Sequence, residues 1–342
     1  MDETIGTRTA LVLGATGGVG SAVAEALAAR GWQVRGLARD PAKAATGWRG
    51  RAGAIDWVAG DAMTRQDVIG AAQGVQVLVH AVNPPGYKDW DATVLPMINN
   101  AIAAAKAVGG VRIVLPGTIY NFDPATTPIL REDSPQEPRS RKGAIRKELE
   151  ARLEWAALAG EAPALIIRAG DFFGPRVRAS WFAQGMVKPG QPVRRLTVLS
   201  RSVGHTWAYL PDLAETFARL IDLDHAEPLR LRPFERVQFE GFWDPDGEAM
   251  PGIVAAALGQ EAIPIRAFPW WLMRLAAPFG GFPSEAVDIL PVWRHPVRLD
   301  NARLRELLGK EPRTPLVQAM RATLEGLGCL SMPYLKSAVQ RA

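Results

Sequence analysis

The heptapeptide GATGGVG, residues 14–20, follows a short, largely apolar run, Arg8–Leu13, and precedes an alanine-rich stretch, Ser21–Arg30. Strand, tight turn and helix in that order suit a pyrophosphate. Glycines at 14, 17 and 20 allow a sharp turn, close approach of the phosphates and close helix packing, and the helix amino terminus offers unpaired N–H groups and a partial positive charge. An ordinary glycine-rich turn is the plain structural alternative, and the alternation of strands and helices that follows weighs against it. The residues expected to line this site are Gly14, Thr16, Gly17, Gly18, Val19 and Gly20.

A second chemical signal lies at the end of the next apolar stretch, Trp32–Ala38. A site selective for NAD places Asp or Glu there to bind the ribose 2′-hydroxyl, but this chain has Ala38 followed by Arg39, with Arg35 earlier on the same strand. A guanidinium binds a 2′-phosphate that a carboxylate would repel, so NADP(H) is favoured over NAD(H). The bland reading of Arg39 is a solvated residue at a strand end.

These residues must be positioned by a parallel sheet. Strands are expected at Ala54–Ala59, Val75–Val82, Val111–Leu115 and Ala164–Arg168, with helices at Thr93–Val108 and about Gly143–Leu158. Parallel strands need covering helices, which makes the fold class α/β, a Rossmann-type doubly wound sheet. After about Gly174 the alternation weakens, and most of the eleven tryptophans lie from Trp155 onward. Residues 1–175 are therefore expected to form the dinucleotide-binding domain, with a return segment near 205–222, and residues 176–342 a smaller, irregular substrate lobe.

Composition narrows the function class. The chain has 342 residues, 48% hydrophobic and 22% charged, enough for a packed core. Its single cysteine, Cys329, forms no internal bridge, and the histidines at 80, 205, 225 and 295 are too scattered to suggest a metal set. The start lacks a signal-peptide pattern, and the most apolar later stretch, Phe268–Phe282, is interrupted by Arg274 and Pro278 and is too short to span a bilayer. A cytoplasmic protein without a membrane partner is expected. A net charge of +5 is mild and suits an anionic cofactor at least as well as nucleic acid.

Together, GATGGVG, Gly60-Asp61, His80-Ala81-Val82-Asn83, LPGTIYNF (115–122), RAGDFFGP (168–175), AYLPDLAET (208–216) and VRLDNARLRELLGKEPRTPL (297–316) resemble the extended branch of the short-chain dehydrogenase/reductase superfamily, the NAD-dependent epimerases and dehydratases. The resemblance covers most of the chain. It implies that Asp61 and Ala62 lie by the adenine and that Ala81, Val82 and Asn83 line the cofactor, along with a small carbonyl or sugar-like substrate and a homodimer paired through the helices at 93–108 and 143–158. It also implies a Ser, Tyr and Lys catalytic set with a YxxxK helix, and here the chain departs. Aligning Ile119-Tyr120 leaves Pro116 in place of the serine, with Thr118 the nearest hydroxyl. One helix register puts Lys142 and Arg146 in the tyrosine and lysine positions, and another puts Gly143 and Lys147 there. Neither restores the tyrosine.

Tyr120, Thr118 and Lys142 are the remaining candidates for proton transfer, Tyr120 first, with Lys142 or Arg146 lowering its pKa. The basic run RSRKGAIRK, 139–147, could hold an anionic substrate or be a solvated helix start. Asp171 is a candidate substrate contact or a turn residue, and Trp270-Trp271 a pocket cap, a dimer face or core of the small lobe. Three readings follow: an NADP(H)-dependent oxidoreductase or epimerase, a non-catalytic regulator or partner-binding protein that senses NADP(H), and, least favoured, a nucleic-acid-associated protein.

Overall fold

The computed structural model describes residues 8–50, 53–84 and 90–330; Tyr87 and Tyr334 lie outside them. The first half alternates as β1 (Thr9–Leu13), α1 (Gly18–Ala29), β2 (Gln33–Ala38), α2 (Pro41–Gly47), β3 (Asp56–Ala59), α3 (Arg65–Ala71), β4 (Val77–His80), α4 (Trp90–Ala107), β5 (Arg112–Gly117), the short β6 (Ile129–Leu130), α5 (Arg141–Leu158) and β7 (Ala164–Ala169). There follow β8 (Asp171–Phe173), β9 (Leu196–Val198), β10 (His205–Tyr209), α6 (Leu210–Ala226), β11 (Phe234–Phe239) and β12 (Phe242–Asp244). The chain closes with α7 (Ala249–Ala257), β13 (Ile265–Ala267), α8 (Trp270–Ala276), α9 (Gly281–Asp288), β14 (Arg298–Leu299), α10 (Ala302–Leu308) and α11 (Leu316–Gly326).

Seven parallel strands form the central sheet in the order β11-β7-β5-β4-β1-β2-β3. Side chains on a strand alternate between faces, and β1 shows the consequence. Ala10 and Val12 join the layer holding Leu27 of α1 and Phe217 of α6, whereas Leu11 and Leu13 join Ile98 of α4 and Leu149 of α5 on the other side. Both faces are buried, which explains why these strands read as continuous apolar runs.

The return segment is longer than the expected 205–222. Helix α6 packs beside α1, β11 forms the sheet's outer edge, and α10 packs against β11. Strand β10, by contrast, leaves the central sheet and pairs with β8 and β12. Around this three-stranded sheet the second lobe buries its own core, including Phe173, Phe182, Trp207, Met250, Trp293 and Met320. Among the described residues no helix is long and apolar enough to cross a membrane.

Candidate functional site

The strand order reverses direction between β1 and β4, so the loops leaving their carboxyl ends diverge and open a crevice. Gly14 turns the chain there with φ of +83°, and a Cβ on it would lie 2.7 Å from Ala81 O and from Val82 N. Gly20 is buried in α1, where a Cβ would run into the Gly14 carbonyl. These two glycines are required for packing. Gly17 has a different role: it is the N-cap of α1, its backbone N–H donates to Gly14 O at 2.9 Å, and no side chain caps the helix. Thr16, Gly17 and Gly18 are exposed and Val19 is half-buried, and an uncapped helix amino terminus of this kind can bind an anion.

Arg39, at the end of β2, is exposed and makes no ion pair or hydrogen bond among the described residues; Asp40 beside it caps α2 by accepting from Lys43 N at 2.9 Å. Arg35 does not join it. Its guanidinium donates to the carbonyls of Ala71 and Gln73, both at 2.8 Å, and pairs with Asp56, so Arg35 ties β2 to β3 and the end of α3. The Asp61 carboxylate accepts from Met63 N at 2.9 Å, and Asn100 of α4 donates to Ala62 O at 3.0 Å, fixing the turn at the third strand's end. Across the crevice Ala81 N donates to Leu13 O at 3.0 Å, Val82 is half-buried, and the exposed Asn83 accepts from Arg146 Nη2 at 3.2 Å.

The amino-terminal turn of α5 distinguishes the two helix registers. Lys142 and Arg146 face the crevice, their cationic groups 5.6 and 5.1 Å from the Trp90 ring centroid, while Lys147 is exposed and Gly143 is pressed against the Tyr120 carbonyl. Lys142 is buried and pairs with Glu285 of α9. Elsewhere in the basic run, Arg139 pairs with Asp123 at 2.6 Å and Arg141 N donates to Asp288 at 3.4 Å, so the cluster is partly neutralised within the fold. Thr118 Oγ1 accepts from Tyr120 N at 3.3 Å, and the half-buried Tyr120 ring packs against the second lobe's core. Tyr209 is held protonated: burial, then Asp212, pushes its pKa up to about 12.

His80, at the end of β4, is fully buried below this site, and burial, followed by the charge of Arg146, pulls its pKa down to about 3. Folding therefore favours the neutral ring. Its contribution is complete above the unfolded value of about 6.5 and is lost as pH falls toward 3, with about 2 kcal/mol gone by about pH 5. His80→Leu is expected to flatten the dependence of urea-unfolding free energy on pH across this window, and an unchanged slope would assign the acid sensitivity to other groups.

Several participants were not legible in the sequence. Trp90 and Glu285 meet Lys142 from helices far apart in the chain, and only the adjacency of helix starts to strand ends hinted at Trp90. Asp171 is neither exposed nor a simple turn residue. Its Oδ2 lies 2.8 Å from His205 Nε2, and the His205 ring stacks on Trp293 at 4.0 Å. Trp270 and Trp271 divide: the first packs on Phe268, with ring centroids 4.7 Å apart, and the second is exposed.

Residues 14–155 match a protein family described as NAD(P)H-binding. Among solved structures, the chain is similar to UDP-glucuronic acid 4-epimerase from Bacillus cereus, with a TM-score of 0.70, 17% identity and coverage of 94% of this chain and 99% of that one. It is likewise similar to UDP-glucose-4-epimerase from Stenotrophomonas maltophila, with a TM-score of 0.69, 14% identity and coverage of 98% and 100%. The protein thus shares the fold of these epimerases, and the family match falls on the half of the chain that holds the glycine turn. A curated relative, 3-diazoavenalumate denitrifying reductase from a Streptomyces species, is 28% identical over 179 residues, 48% of this chain; the match spans 56% of that protein, little more than half its length.

Proposed function

We propose that the protein is an NADP(H)-dependent oxidoreductase of the extended short-chain type, acting on a small carbonyl or sugar-like molecule. The observation that carries this reading is the crevice itself: a glycine turn with no room for a Cβ at Gly14, an uncapped helix amino terminus at Gly17, and Arg39, without a partner among the described residues, directly after the Ala38 position at which an NAD site holds an acid. These features fit the cofactor. The α1 amino terminus would hold its pyrophosphate, Arg39 its 2′-phosphate and Asp61 its adenine end, with Ala81, Val82 and Asn83 forming the opposite wall. When bound, the cofactor supplies or accepts the hydride.

Proton chemistry falls to this chain's own groups. Tyr120 is the proposed proton partner. Its backbone carbonyl lies under the start of α5, the helix that carries Lys142 and Arg146. Thr118, bonded to the Tyr120 amide, positions this turn, and Lys142 is the alternative donor, its ammonium held between Glu285 and Trp90. A relative described as a denitrifying reductase supports net reduction over epimerisation.

The test is NADPH consumption across a panel of carbonyl compounds. Tyr120→Phe is expected to reduce turnover by about 100-fold or more with NADPH affinity intact, the usual effect of losing a general acid; full turnover in that variant would transfer the role to Lys142. The parent is expected to bind NADPH at least about 10-fold more tightly than NADH, about 1.4 kcal/mol, and Arg39→Ala to erase most of that preference in calorimetry. Equal affinities in the parent would refute the assignment of Arg39. Pro116 in the serine position and Lys142 in the tyrosine position favour a second reading, a non-catalytic NADP(H) sensor, for which tight binding without turnover on any substrate would be the result.

A further inference from the structure

A cavity of about 550 Å³ opens beside the outer strand of the central sheet, between Ile129 of β6, Glu240 just after β11, Arg298 of β14 and the carboxyl end of α10. Its volume suits a small molecule. None of its lining residues belongs to the crevice, because β11 stands three positions from β4 in the sheet, roughly 14 Å at about 4.8 Å per strand.

Charge narrows what the cavity can hold. Five cationic side chains line it, Arg131, Arg298, Arg305, Lys310 and Arg313, against the three carboxylates of Glu240, Asp300 and Glu311. Each carboxylate is already engaged within the fold. The buried Glu311 accepts from Glu240 N, Gly241 N and Asn301 Nδ2, each at 2.9 Å, with Arg313 Nε at 3.5 Å, which fixes one wall. Glu240 lies between Arg298 and Arg313, at 2.8 and 3.0 Å, and Asp300 pairs with Arg131 at 3.3 Å and accepts from Ala302 N at 3.0 Å. Arg305 and Lys310 remain. Both are exposed, and neither side chain has a hydrogen bond or ion pair among the described residues. The dipole of the short α10 accounts for a cation near its end, but not for two beside three more.

We propose that this cavity binds a phosphate-bearing small molecule, with Arg305 and Lys310 holding the phosphate. A phosphate monoester carries about two negative charges on one compact group at neutral pH, which matches the two cations that lack partners. A single carboxylate would leave one of them unanswered, and a cation would be repelled. The guanidinium offers a fork of donors to the phosphate oxygens, and the ammonium adds a point charge. Glu240 and Asp300, neutralised by Arg298, Arg313 and Arg131, offer the anion little repulsion. The inference is independent of which reaction the crevice performs.

The test is acylation of Lys310 in the full chain by an amine-reactive reagent, followed peptide by peptide in mass spectrometry at fixed pH and ionic strength. Glycerol 3-phosphate is expected to slow modification of Lys310 at least about 5-fold and to leave Lys106, at the end of α4, unchanged. Glycerol is expected to give no protection, and succinate, whose two charges sit on separate groups, to give less. Arg305→Ser is expected to raise the concentration for half-protection at least about 10-fold, with the melting temperature unchanged because that side chain is exposed. Gly17→Leu, which alters only the crevice, is expected to protect Lys310 as the parent does. No protection in the parent, equal protection by succinate, or an unchanged half-protection concentration in Arg305→Ser would overturn the proposal. So would loss of protection in Gly17→Leu, which would place the phosphate in the crevice instead.

Discussion

Gly17→Leu is expected to abolish NADPH binding while leaving the fold intact. Gly17 is exposed, its φ of −86° is available to any residue, and a Cβ there would meet only Gly14 O, at 3.3 Å. Folding therefore accepts a side chain at 17 if Gly14 O gives by a few tenths of an ångström, but a leucine stands at the uncapped start of α1, where a pyrophosphate has to approach the backbone N–H groups. A loss of at least about 100-fold, roughly 2.7 kcal/mol, should appear in calorimetry with the melting temperature near that of the parent. Gly14→Ala should do the opposite first: with φ of +83° and Val82 N 2.7 Å from the added Cβ, it strains the crevice and costs stability before affinity can be read. Unchanged affinity in Gly17→Leu would remove the phosphate loop from its assigned role.

The contrast between these glycines marks where sequence reasoning ran out. GATGGVG was legible because strand, turn and helix are local, and the strands were legible because both faces of the sheet are buried and the apolar runs stand out. Which glycine serves packing and which serves a ligand depends on Ala81 and Val82, some 60 residues away in the chain. Strand β11 was missed for a related reason. Its sequence, FERVQF, carries Glu235, Arg236 and Gln238 at the sheet's outer edge, where Glu235 is buried against Arg303 of α10. Arg35 looked like a phosphate ligand because strand position alone does not show that α3 ends beneath its guanidinium. The basic run at 139–147 reads from sequence as an anion site or a solvated helix start, because its partners, Asp123, Glu285 and Asp288, come from a preceding loop and from the second lobe.

A related long-range pairing produces the largest expected stability effect. Arg168 of β7 is 1% exposed, and Glu150 of α5 is 3% exposed. The Glu150 carboxylate pairs with Arg168 Nη2 and also accepts from Gln136 Nε2 at 2.8 Å and Asn121 Nδ2 at 2.9 Å. Arg168 Nε and Nη1 have no hydrogen-bond partner among the described residues, and the guanidinium otherwise faces the Phe122 ring at 5.1 Å. Its charge thus depends on one carboxylate. A guanidinium does not shed its proton when buried, so Glu150→Ala would strand a cation in the core and should destabilise the protein by about 3–5 kcal/mol in urea unfolding. Replacing both partners with apolar residues of similar size, Glu150→Leu with Arg168→Met, should recover most of that loss, because the pair's attraction largely offsets its own desolvation. The single variant should also weaken NADPH binding, since Lys142 and Arg146 lie one to two turns before Glu150 on the same helix; the double variant should restore it. A loss under about 1 kcal/mol in Glu150→Ala would mean that water reaches Arg168, and that the pair does not hold α5 against the sheet.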